Sequence, residues 1–180
     1  MPHIKLDENL AGIRSLAQFR PDTGKALYDL AQALLKQNSS LGEADSELIA
    51  TFVSHLNGCH YCKSSHGSVA KYLYGDNAST VDKVMEDYQN APIPEKLKAL
   101  LTIAKAVQKD ARTVTTEIVD EAKALGASDR EIHDTVLISA AFCMYNRYVD
   151  GLATISPTDP AYYEPMGERL AKFGYVPPQK

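Results

Sequence analysis

The chain has 180 residues, enough for one domain with a substantial core, and an apolar fraction of 44% that is ordinary for a globular protein. Its net charge of −4 is spread along the chain with no Lys/Arg block or stripe, so no phosphate-tracking surface is evident and nucleic acid is set aside as a partner. No apolar run approaches the roughly 20 residues that span a bilayer, and Met1 to Gln18 is too polar for a secretory core, so no membrane association and a cytoplasmic location are expected.

Apolar residues recur at spacings of three and four nearly everywhere, and alternating runs bounded by turns are missing, which predicts an all-α fold. Thr23 can cap a helix to about Gln37 with Leu27, Leu30, Leu34 and Leu35 on one stripe, and Asn38 to Gly42 breaks it. Asp45 can cap a second helix, Ser46 to about Leu56, with Glu47 in its first turn. Asn57-Gly58 ends that helix. A third runs from near Cys59 to Tyr74 and stops at Gly75-Asp76.

Helices over Thr80 to Tyr88 and Pro94 to Lys109 follow, separated by the Pro92/Pro94 break, then Thr115 to Leu125 with Gly126 as its stop. Ser128 caps the last long helix, about Asp129 to Leu152, whose wide apolar surface suits a central or interface position. From Ser156 the tail is rich in Pro and Tyr and is expected to wrap the surface or a neighbouring subunit. One domain over 1–180 is expected, with a first half at about 23–90, a second at about 91–155 and the tail at 156–180.

The two halves show a common pattern at an offset of 84 residues. Leu41 to Glu47 can be laid over Leu125 to Glu131, and the same register pairs Thr51 with Thr135, Cys59 with Cys143, Tyr61 with Tyr145 and Gly67 with Gly151. In the second copy Asn146 stands for Cys62 and Asp150 for His66. If the copies are related, only the first is chemically equipped.

That equipment is the segment Asn57 to Gly67, which holds Cys59-x-x-Cys62 and, four residues on, His66. An ordinary thiol is only a few per cent thiolate at neutral pH, yet the thiolate is the form that attacks. A helix N-terminus, the paired cysteine and an imidazole one turn along can each favour it. Glu47 can orient His66 and take its proton if the two flanking helices pack antiparallel. Three cysteines are too few and too odd for a disulfide framework, and in a reducing compartment such a pair is more often catalytic or metal-binding.

Other chemistries stay open for the same residues. Zinc could take Cys59, Cys62 and His66, with Cys143, His55 or His60 completing four donors. Attached haem needs His directly after the second cysteine, where Lys63 stands, and a thioredoxin-type motif needs a βαβ setting that is missing. His55 and His60 read as structural or solvent-facing, Tyr61 as pocket-lining or packed, and Cys143 as a small buried apolar residue. Acid–base chemistry by Glu47 and His66, with the thiols accessory, is a third reading.

Glu47, eleven intervening residues, Cys59-x-x-Cys62, three more and His66 together resemble the motif of the alkylhydroperoxidase D (AhpD) and carboxymuconolactone decarboxylase-like superfamily. Asn-Gly-Cys-x-Tyr-Cys, and Ile132 to Gly151 with Asn146-Arg147, resemble its peroxidase-related branch, and the likeness covers about Leu30 to Leu152. The resemblance implies a helical fold of two related halves, assembly as trimers or hexamers, and a thiol-dependent hydroperoxide reductase of antioxidant defence. It makes Cys62 the thiol that peroxide oxidises, Cys59 the one that closes the disulfide and exchanges with an external dithiol protein, and Glu47 and His66 a proton relay, with no cofactor. AhpD has a second histidine where Tyr61 stands, so part of that relay is altered. The decarboxylases of the superfamily lack the cysteine pair, which points away from lactone decarboxylation.

Overall fold

The computed structural model describes residues 1–37 and 39–176. Among the described residues there is no strand, and the helices are α1 (Ile13–Phe19), α2 (Pro21–Leu35), α3 (Glu43–Leu56), α4 (His60–Tyr74), α5 (Ser79–Asp87), α6 (Glu95–Asp110), α7 (Thr116–Ala124), α8 (Asp129–Gly151) and α9 (Glu164–Phe173). The all-α expectation therefore holds. α3 is the centre: α4, α6 and α8 all pack on it, and Ser46 to Ser54 is buried without a break. A helix enclosed on every side must satisfy its own polar groups. Thr51 and Ser54 hydroxyls return to the carbonyls of Glu47 and Ala50 at 2.7 and 2.8 Å.

Several helix starts differ from the sequence reading for local reasons. α2 begins at Pro21, whose fixed φ suits a first helical position, and Thr23 does not cap it but returns its hydroxyl to Arg20 O at 3.1 Å. α3 begins at Glu43 after Gly42 at φ +78°, so Asp45 lies inside its first turn and accepts the Tyr74 hydroxyl at 2.7 Å instead of capping. Glu47 therefore sits beyond the first turn, where the helix dipole no longer accounts for it. Ser128 does cap α8, in a capping box with Glu131. Of the break expected at Asn38 to Gly42, Asn38 lies outside the described residues, as do positions 177–180 of the tail.

The turn between α3 and α4 is closed tightly. Gly58, at φ +72°, sends its N–H to His55 O, and Cys59 N–H reaches Ser54 O, both at 3.0 Å, the paired bonds of a Schellman ending. Cys59 is thereby fixed at the N-cap of α4 and Cys62 in its first turn. Side chains brace the turn from the other half. Gln108 donates to Asn57 Oδ1 at 2.9 Å, Asn57 Nδ2 to Asn146 Oδ1 at 2.8 Å, and Asn146 Nδ2 to Ser54 Oγ at 3.0 Å.

The proposed internal pattern matches at the helix entries, where Gly42 and Gly126 both have positive φ ahead of α3 and α8. Beyond them the backbones differ, since residues 57–59 break the chain while 141–143 lie within an uninterrupted α8.

The tail contains α9, which packs on α4 of its own chain. The approach is close because position 167 is glycine: a Cβ there would stand 2.7 Å from the Ser68 carbonyl carbon. Residues before α1 lie along the end of α8, with His3 N–H on Leu152 O and Gly12 N–H on Ile155 O at 3.0 and 2.9 Å. They close a small apolar cluster of Ala11, Leu16, Cys59, Tyr61, Cys62, Val149 and Tyr163.

Asn146→Ala is expected to lower stability by about 2 kcal/mol, because it removes both the acceptor of the half-buried Asn57 amide and the donor that reaches the buried Ser54 oxygen. A urea titration with an unchanged slope and a lower midpoint would show it.

Candidate functional site

Glu47 is wholly buried, and an isolated carboxylate cannot stay there without donors. Two are supplied. His66 Nδ1, from α4, lies 2.8 Å from Oε2, and the Tyr175 hydroxyl donates to Oε1 at 2.5 Å. The Tyr175 oxygen is also 3.1 Å from His66 Nδ1, and the two rings stack with centroids 5.7 Å apart. Phe142 meets the other side of the imidazole edge-on at 4.6 Å. With Nδ1 donating to the carboxylate, the neutral ring keeps its lone pair on Nε2.

Sequence reasoning missed Tyr175. It lies in the tail, 128 residues from Glu47, with no local motif to mark it. The structure shows how it is aimed. Gly174, at φ +74°, ends α9 and turns the chain inward, and Gln32 Oε1 of α2 accepts the Tyr175 N–H at 2.7 Å. One turn along α2, Lys36 Nζ donates to Ala171 O at 2.7 Å and pairs with Glu43. Burial, and then the neighbouring Glu47 charge, push the Tyr175 phenol well above its ordinary value, so it stays a proton donor.

The two thiols are free and differ in setting. Cys62 lines a pocket of about 70 Å³ together with Ser65, His66, Tyr61 and Tyr175, walled by Leu27, Tyr28, Phe142 and Met166. Cys59 does not line that pocket and is fully enclosed. A hydrogen bond with Cys62, then burial, raises the Cys59 thiol far above its ordinary value.

The α4 helix thus presents Tyr61, Cys62, Ser65 and His66 on one face. Its opposite face borders a larger groove of about 700 Å³ lined by His55, His60, Lys63 and Lys71 among others, where no thiol reaches. His55 and His60 lie there, outside the site. His60 Nε2 is 3.0 Å from Pro157 O, and Cys143 receives the Asn57 amide at 3.7 Å. Among the described residues, no three His, Cys, Asp or Glu side chains gather in a way that could hold a metal ion.

Tyr61 fills the place that the resemblance gives to a second histidine. Its ring fits against Gly12, where any Cβ would fall 2.1 Å from a ring carbon. Burial raises its phenol well above the ordinary value, and its hydroxyl points at Met166 Sδ, 4.0 Å away. It shapes the pocket wall.

Residues 21–86 match the family model of the carboxymuconolactone decarboxylase family. The chain is similar in structure to an uncharacterized peroxidase-related protein from Ralstonia eutropha, described as having an alkylhydroperoxidase AhpD core. There the TM-score is 0.77 and identity 25%, over 88% of this chain and 81% of that one. A peroxidase-related protein from a Silicibacter species aligns at TM-score 0.75 and 23% identity over 83% and 76% of the two chains. A protein of unknown function from Agrobacterium tumefaciens, named as a candidate antioxidant defence protein AhpD, aligns at 0.71 and 23% over 88% and 100%. No curated protein matches the chain.

Cys59, Tyr61, Tyr74, Tyr145 and Tyr175 all have acidities weakened by burial, so the native state holds their protons more firmly than the unfolded chain does. A raised native pKa contributes stability that is complete below the unfolded value and is lost as pH rises past it. Stability should accordingly decline above about pH 9, first through Cys59 and then, from about pH 10, through the phenols. Tyr175→Phe should cost about 1–3 kcal/mol at pH 7 by removing a donor from buried Glu47. Urea midpoints across pH 7 to 11 should also show a shallower alkaline decline in that variant than in the parent.

Proposed function

From its place in the AhpD and carboxymuconolactone decarboxylase superfamily, in the peroxidase-related branch, we propose that this chain is a thiol-dependent hydroperoxide reductase. The observation that carries the reading is the opening of Cys62 and His66 into one pocket, with Cys59 behind the first and Glu47 and Tyr175 behind the second. His66 Nε2 takes the Cys62 proton, and Glu47 and Tyr175 hold the ring in the tautomer that can do so. The Cys62 thiolate attacks the distal peroxide oxygen, the O–O bond breaks, and His66 returns the proton to the departing alkoxide. The products are the alcohol and a Cys62 sulfenic acid.

Cys59 completes the turnover. Its sulfur attacks the sulfenic sulfur, an S–S bond replaces S–O, and the Cys59 proton leaves in water. An external dithiol, taken to be a reductant protein, then resets the pair with two electrons and is itself oxidised to a disulfide. The high pKa of Cys59 suits this order, because it keeps the resolving sulfur protonated until Cys62 has reacted. No cofactor enters the scheme.

We extend the proposal to self-association as a trimer or hexamer in the cytoplasm. Leu137 and Met144, two turns apart on α8, are exposed at 39% and 44%, the kind of uncovered apolar stripe that a neighbouring subunit covers. No helix among the described residues is long and apolar enough to cross a membrane.

A stoichiometric peroxide pulse followed by mass spectrometry should give a Cys59–Cys62 disulfide, and Cys59→Ser should trap the Cys62 sulfenate. Cys62→Ser should abolish turnover, and His66→Ala should slow it by about 10²- to 10⁴-fold. Oxidation no faster than that of a free thiol would sink the reading. Activity that survives in Cys59→Ser/Cys62→Ser would point instead to acid–base chemistry by Glu47 and His66. Light scattering on Leu137→Glu/Met144→Glu should show a smaller species than the parent.

A further inference from the structure

The mouth of the Cys62 pocket carries two arginines that the scheme above leaves unused. Arg14 of α1 and Arg169 of α9 line it from different helices, and both charges act on the Tyr28 phenol in the wall between them. Arg14 also acts on Tyr61, and Arg169 on Tyr175. Neither guanidinium has a carboxylate within ion-pairing distance among the described residues, whereas Arg20, Arg112 and Arg130 each do. Two exposed cations with no counter-charge, at the rim of a mostly apolar slot, form a ready anion-binding pair.

Inside the slot, Ser65 Oγ is buried with no hydrogen-bond partner among the described residues. The Tyr61 phenol stands close enough to feel it without completing a bond of full geometry. An unsatisfied hydroxyl beside Cys62 and His66 is placed to bond a polar head that enters the slot. The same pocket is walled by Leu27, Ala31, Phe142, Met166 and Leu170. The pocket therefore combines a buried hydroxyl, apolar walls and two exposed cations.

We infer that the substrate is an organic hydroperoxide bearing a carboxylate, with the peroxide at Cys62 and Ser65, an aliphatic stretch along the apolar walls and the carboxylate on Arg14 and Arg169. The inference rests on the hydroperoxide-reductase reading for its chemistry. The pocket, about 70 Å³, is small beside the whole molecule, which leaves the anion at its open side. That is where the arginines stand.

The test separates binding from turnover. Octanoate, which has no peroxide to reduce, should protect Cys62 from alkylation by iodoacetamide, while methyl octanoate should protect it at least about tenfold less. Arg14→Gln/Arg169→Gln should remove that difference. With turnover, a carboxylated aliphatic hydroperoxide should exceed its methyl ester in kcat/KM by a similar factor, and the ratio should fall to about one in the double variant. Equal protection by acid and ester in the parent, or a preference that persists in the double variant, would overturn the inference. Protection by octanoate without any peroxide turnover would uphold the anion site and overturn the reductase reading instead.

Discussion

The buried carboxylate of Glu47 is the constraint around which the site is arranged. Placing it in the enclosed helix α3 has a desolvation cost that only donors can offset, and the two it finds come from α4 and from the segment after α9. Satisfying one side chain therefore fixes three parts of the chain. The α3 to α4 turn must be tight, so that His66 faces back toward Glu47. Residues 174 and 175 must fold inward, where Gln32 of α2 holds Tyr175, while Lys36 at the end of α2 ties down Ala171.

The same arrangement divides labour along α4. A helix entered through Cys59 brings positions 61, 62, 65 and 66 to one face and leaves Cys59 beneath the helix start, sealed by the segment before α1. A pair of thiols three residues apart thus becomes one that lines the pocket and one that does not. Depth separates them more than distance along the chain does. The Asn57, Asn146 and Gln108 amides make this depth a property of the whole bundle, since they tie the turn to α6 and α8.

Much of this was legible in the sequence because it is local. Cys-x-x-Cys followed by His at plus four states its own geometry on a helix, and Gly58 and Ser128 mark helix ends by backbone and capping chemistry that depend on a few neighbours. Glu47 was legible only by its spacing from the pair; a helix start at Ser46 suggested a first-turn acid, and the start at Glu43 shows otherwise. Tyr175, Arg14 and Arg169 carried no local signal. Their places depend on how α1 and α9 pack, and on single glycines at 12, 167 and 174 whose value is the atom they lack.

The reach of the Tyr175 bond has a consequence for order of assembly. A contact spanning 128 residues carries a large chain-closure cost, so α3 and α4 can dock well before it forms. It is also among the contacts that can open while α3 remains packed, which would make residues 164–176 a separate unit of native-state fluctuation. In hydrogen exchange, amides of α9 would then exchange at lower opening free energy than those of α3; equal protection would show the two moving as one. Such opening would uncover Glu47 and His66 together, so one local fluctuation would expose two side chains that the closed fold holds out of water.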